Sequence, residues 1–144
     1  MITEDYCSFE VAKLLKEKGF DEACYSYYMT TKTLHTTFHN RVHVEEEPHF
    51  NSRDLNGMYD VDESSIEDIC SAPTHQTAMK WLREVHGIFI AINNDDLDFN
   101  WQCYNLINRG STLDPKILSE SYAGYKTYEE AVEAALKYTL KNLI

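Results

Sequence analysis

Apolar residues recur at helical spacing in three stretches. In residues 8–18, Val11, Leu14 and Leu15 fall at i, i+3 and i+4 with Cys7 one turn earlier, while Lys13, Lys16, Glu17 and Lys18 fill the remaining surface. Gly19 then supplies a left-handed helix end, and Phe20 can fold back on the last turn. Residues 74–86 repeat the pattern with Ala78, Trp81, Leu82 and Val85, opened by Pro73 and stopped by Gly87. The third helix starts at Thr127, which forms a capping box with Glu130. Its stripe is Val132, Ala135, Leu136, Leu140 and Leu143. Glu129, Glu130 and Glu133 lie early and Lys137 and Lys141 late, matching the helix dipole.

Between the first two helices the period changes. Residues 24–30 and 33–39 are rich in Tyr, Thr and Phe, and the Thr31-Lys32 connection predicts a hairpin without the usual Asn-Gly signal. Residues 41–45 can extend that sheet. Residues 46–70 lose periodicity around Pro48 and Gly57 and read as a long, flexible excursion. After Gly87, residues 88–92 are unbroken apolar, the mark of a strand covered on both faces. Residues 93–98 form a polar turn and 99–107 the returning strand, on which Trp101 has no cleanly apolar face to choose. Residues 109–114 read as a loop, and 114–121 fit either a short helix or an edge strand.

The expected fold is therefore α+β in a single domain spanning 1–144. Three helices pack an antiparallel or mixed sheet of about four to five strands, in the order α-β-β-(β)-α-β-β-α. A chain of 144 residues with 43% hydrophobic content buries a core without disulfides or metal. Its ten tyrosines suit either half-buried strand faces or a contact surface.

Charge narrows the functional classes. A formal net charge of −11 repels phosphate backbones and anionic lipid, so direct nucleic-acid binding is not expected and a basic protein partner is. Cys7, Cys24, Cys70 and Cys103 form no CxxC. Four cysteines permit two disulfides. With no export signal in the opening residues, reduced buried thiols and a cytoplasmic location are the expectation. No apolar run approaches the roughly 18–20 residues of a membrane span.

Ala72-Pro73-Thr74, Ala78-Met79-Lys80-Trp81-Leu82-Arg83-Glu84-Val85-His86, Tyr128-Glu129-Glu130-Ala131, Leu136-Lys137-Tyr138 and Asn142-Leu143-Ile144 carry a resemblance, together with residues 9–19. They resemble small proteins of unknown function found on prophages and other mobile elements of gut anaerobic bacteria. The likeness covers about half the chain, mostly helix, and excludes residues 30–71 and 94–115. It implies a bacterial cytoplasm and an accessory role, and brings no catalytic residues with it.

Candidate chemistry concentrates at His35, His39, His43 and His49. On an extended chain the odd positions His35, Thr37, His39, Arg41, His43, Glu45, Glu47 and His49 share a face, offering imidazole and carboxylate donors suited to zinc, copper or nickel. Next-but-one residues on one strand stand about 6.5–7 Å apart, awkward for ligating a single ion, so a solvated strand face is the simpler reading. The acidic positions Glu45, Glu46, Glu47, Asp60, Asp62 and Glu63 form a second candidate, a contact surface that mimics the charge of DNA and blocks a DNA-binding protein. A calcium loop from Asp60 fails, because its sixth and twelfth positions are Ser65 and Ser71. No GxSxG, HExxH, glycine-rich phosphate loop or dinucleotide fingerprint is present. The sequence thus points away from an enzyme and from a cofactor. It points toward an accessory protein working through protein contacts, and leaves the oligomeric state open.

Overall fold

The computed structural model describes residues 2–36, 48–52, 69–106, 116–121 and 124–144. The fold is α+β, and the described residues form three helices and two three-stranded antiparallel sheets. The chain divides into two compact units, residues 6–73 and residues 1–5 with 74–144.

In the unit of residues 6–73, helix α1 (Phe9–Glu17) is capped by Ser8, whose hydroxyl accepts from the Val11 amide. It ends as expected. Gly19 takes φ 88°, the Phe20 amide returns to the Leu15 carbonyl and the Gly19 amide to Lys16, and Phe20 is fully buried. Strands β1 (Ser26–Tyr28), β2 (Leu34–Thr36) and β3 (Cys70–Ser71) pair in the order β2-β1-β3. The β1–β2 hairpin turns without Asn-Gly because it uses a three-residue loop. The Lys32 amide reaches the Met29 carbonyl, and Lys32 itself takes the left-handed conformation at φ 60°. Ala12, Tyr28, Cys70 and Ala72 form a buried cluster with Phe9 against it. The Tyr28 hydroxyl donates to the Cys7 carbonyl at 2.8 Å, and Lys16 reaches the Ile69 carbonyl at 2.7 Å. The expected third strand at 41–45 lies outside the described residues, as does most of 46–70. The third strand observed is Cys70–Ser71.

In the other unit, α2 (His75–His86) runs from the Thr74 cap to Gly87, which takes φ 64°. Its buried residues are His75, Ala78, Met79, Trp81 and Leu82, whereas Val85 is 59% exposed. Val85 shares a side of the helix with buried Ala78 and Trp81 but sits in the last turn, where it is left exposed, which corrects its expected placement in the core. Strands β4 (Ile88–Asp95), β5 (Asp98–Asn105) and β6 (Lys116–Glu120) form an antiparallel meander, with β6 as an edge strand. Tyr104 pairs with Ile117 and Cys103 with Ser119, which leaves a bulge at Leu118. Helix α3 (Tyr128–Asn142) lies against β4 and β5, and α2 lies against β4 and α3. Its cap is a variant of the expected box. Thr127 accepts from the Glu130 amide, while the Glu130 carboxylate accepts from the Lys126 amide, one residue earlier than usual. Buried His75 bonds Glu133 at 2.7 Å and joins α2 to α3.

The described residues hold six strands in two sheets, where a single sheet of about four to five strands was expected. The expected order had its optional third strand at 41–45 rather than at β3, which is too short to show periodicity, and it did not include β6.

Candidate functional site

The histidine-rich stretch is described at its two ends. His35 on β2 pairs across from Tyr27 on β1, and the rings stack at 5.7 Å. His49 forms a bridge with Cys24 and stacks on Tyr27 at 5.2 Å. Its Nδ1 shares a 2.6 Å hydrogen bond with the hydroxyl of Ser71, which pairs with Tyr27 from the opposite strand. Because β1 is the central strand, with His35 on one flank and Ser71 on the other, Tyr27 stands between the two imidazoles. His39, His43, Glu45, Glu46, Glu47, Asp60, Asp62 and Glu63 lie outside the described residues. Among the described residues no group of three histidines, cysteines or carboxylates is placed to hold a metal ion.

Asn51 completes this cluster. Its carbonyl accepts from the Ser71 amide at 2.9 Å and its amide donates to the Phe20 carbonyl at 2.7 Å, linking the segment after α1 to β3. Burial pushes the Cys24 thiol up to about 12, with the Ser71 hydroxyl pulling the other way and Glu22 adding a smaller upward push. A buried neutral thiol is a poor nucleophile and a poor ligand. Ser71 has no exposed surface and His49 4%, so the serine–histidine contact has no route to a substrate in this conformation. The arrangement ties the side chains of His49, Ser71 and Asn51 together within the sheet, a structural rather than a catalytic use of these groups.

The surface of the second sheet differs. Residues 88–92 were expected to be covered on both faces, and they are not. Ile88 and Ile90 are buried, but Phe89 between them is 39% exposed. The inner face packs on α3: Trp101 meets Tyr138 at 5.1 Å, and Cys103 Sγ meets the Thr139 hydroxyl at 3.4 Å. On the outer face, Phe89, Tyr104 and Ile117 stand in one cross-strand row, with Phe89 and Tyr104 rings 6.4 Å apart and Ile117 48% exposed. Next along the sheet is a polar ladder. Asn93 donates to Gln102, Gln102 to Glu120, and the Tyr104 hydroxyl to the Gln102 carbonyl.

The ladder ends at the β4–β5 tip. Asp95 and Asp98 pair there, Asp96 takes φ 54°, and the Leu97 amide bonds the Asp95 carbonyl two residues back. Such a γ-like turn is strained for a residue with a side chain. It leaves Leu97 89% exposed amid three carboxylates, of which Asp98 is met by Lys126 at 3.5 Å. One face thus carries an apolar row, an amide ladder and an acidic tip with a single exposed leucine. An eight-residue strand makes it roughly 25 Å long.

A groove of about 510 Å³ also opens in this unit, lined by His86, Ile88, Asn105, Leu118, Leu143 and Ile144. It is mostly aliphatic. The His86 ring lies edge-on to Trp81 at 4.6 Å, with its Nε2 shut off from solvent.

Sequence reasoning missed Tyr27, Ser71, Asn51 and the outer-face row. The first three meet across 20 or more positions of chain, and only strand register brings them together. The alternation of Phe89 with Ile88 and Ile90 was invisible because all three are apolar. Comparison with known proteins adds no assignment: no family model, no curated protein and no solved structure matches this chain. No helix among the described residues is long and apolar enough to cross a membrane.

Proposed function

We propose that this chain is a non-enzymatic accessory protein of a mobile element, working in the cytoplasm through protein–protein contacts, and that its contact surface is the outer face of β4-β5-β6. The observation that carries the binding surface is the row of exposed Phe89, half-buried Tyr104 and exposed Ile117 on a sheet whose other face is packed by α3. Aromatic and aliphatic side chains gathered on one exposed face are typical of the centre of protein interfaces. Scattered exposed apolar residues need no such account, but a contiguous row in register does. The mobile-element origin rests on the helical resemblance alone.

The chemistry of the face specifies its partner. The partner offers an apolar centre for Phe89 and Ile117, amide-matching polar groups beside it, and basic residues near the acidic tip. Truncating an anchor at such a centre weakens binding by about 10- to 100-fold. The test is purification of the protein with its partner from its native cells, comparing the wild type with Phe89→Ala and Ile117→Glu. A stoichiometric partner lost with both variants, while their melting curves stay close to wild type, agrees with this assignment. Retention by both variants places the contact elsewhere.

A further inference from the structure

Strand β4 has one edge paired with β5, and no described strand pairs with the other. Which of its backbone groups face outward follows from the ladder. The Leu106 amide bonds the Gly87 carbonyl at 2.7 Å, so residues 87 and 106 are a hydrogen-bonded pair. Antiparallel pairs alternate, so residues 89, 91, 93 and 95 point their amides and carbonyls at β5. Ile88, Ile90, Ile92 and Asn94 point theirs outward. No other described backbone group reaches them.

Such edges are usually blunted by lysine, proline, a bulge or an inward charge. Residues 88–92, Ile-Phe-Ile-Ala-Ile, contain none of these. The segment is also nearly symmetric about Ile90, the middle one of three outward-facing isoleucine positions. We propose that the occupant of this edge is a second copy of the chain, paired antiparallel through β4 about a two-fold axis at Ile90.

In this register Ile90 pairs with its own copy and Ile88 with Ile92, each as a hydrogen-bonded pair, so every outward group from 88 to 92 is satisfied. Phe89 falls opposite Ala91 on the outer face, a large side chain beside a small one. Charge favours the same register. Each chain carries −11, but the acidic tips point in opposite directions. Asp95 and its symmetry mate stand ten residue steps apart, roughly 33 Å, several times the screening length of about 8 Å at physiological salt. The two three-stranded sheets become one of six strands, with the proposed contact face repeated on both halves.

Sedimentation equilibrium of the full chain tests this, over a range of protein concentrations and at low and high salt. The expected result is a monomer–dimer equilibrium that salt leaves unchanged or strengthens, because the remaining interaction between like-charged copies is repulsive. Ala91→Glu sets two carboxylates diagonally across the axis without touching the buried face, and Ile92→Pro removes an outward amide that β5 does not use. Both are expected to give monomers with the wild-type circular dichroism spectrum. A monomer at every concentration overturns the proposal. So does a dimer that both variants leave intact, which places the interface elsewhere. If one variant fails to fold, the other decides.

Discussion

The buried thiols show how single residues respond to their surroundings. Cys7, Cys24, Cys70 and Cys103 are all buried, and none is in a disulfide. Cys24 and Cys103 are both shifted upward, chiefly by burial. Below the ordinary thiol value of 9.0, folded and unfolded chains both hold the Cys24 proton and its contribution to stability is complete. As pH rises from 9.0 toward about 12, the unfolded chain releases that proton while the folded chain keeps it, so stability falls. Urea unfolding across this range is expected to show a shallower decline for Cys24→Ala than for the wild type. Equal slopes would contradict the shift. Asp96 gives a second expectation at this scale, since its φ of 54° suits glycine better. Asp96→Gly is expected to raise stability by about 0.5–1 kcal/mol, relief of left-handed strain being partly offset by a freer unfolded chain. A loss of stability on thermal melting would show that the aspartate side chain holds the turn.

At the scale of elements, the helices were the most legible part of the chain. Local rules govern them: Ser8, Thr74 and Thr127 all cap as side-chain chemistry dictates, and Gly19 and Gly87 end helices in the left-handed conformation. Thr127→Ala is expected to cost about 1 kcal/mol, measured by chemical denaturation, because it removes the acceptor for the Glu130 amide. An unchanged midpoint would mean that the Glu130–Lys126 half of the cap suffices. Strands were less legible, for a physical reason. A strand's buried face shows in sequence only when the other face is polar. The Ile-Phe-Ile-Ala-Ile run hides its exposed phenylalanine, and Cys70–Ser71 is too short to show a period. Of the histidine stretch only His35 and His49 lie among the described residues, and His35 meets Tyr27 through strand register rather than spacing.

For the whole molecule, the sequence conveyed the α+β class and the excess of negative charge, but neither the division into two sheets nor the position of the proposed contact face. Those depend on long-range pairing, such as β6 returning to β5 and Ser71 meeting Tyr27. The charge acts at this scale too. It disfavours phosphate and lipid surfaces, and it leaves an acidic tip beside an apolar row, a combination that suits a partner with an apolar centre and a basic rim. The most direct test of this account is affinity purification of the wild type and Ile117→Glu from the native cells, at low and high salt, read by mass spectrometry. The account predicts one stoichiometric protein partner with the wild type, weakened by salt and absent with Ile117→Glu. No partner under either condition, or one that the variant keeps, would contradict it.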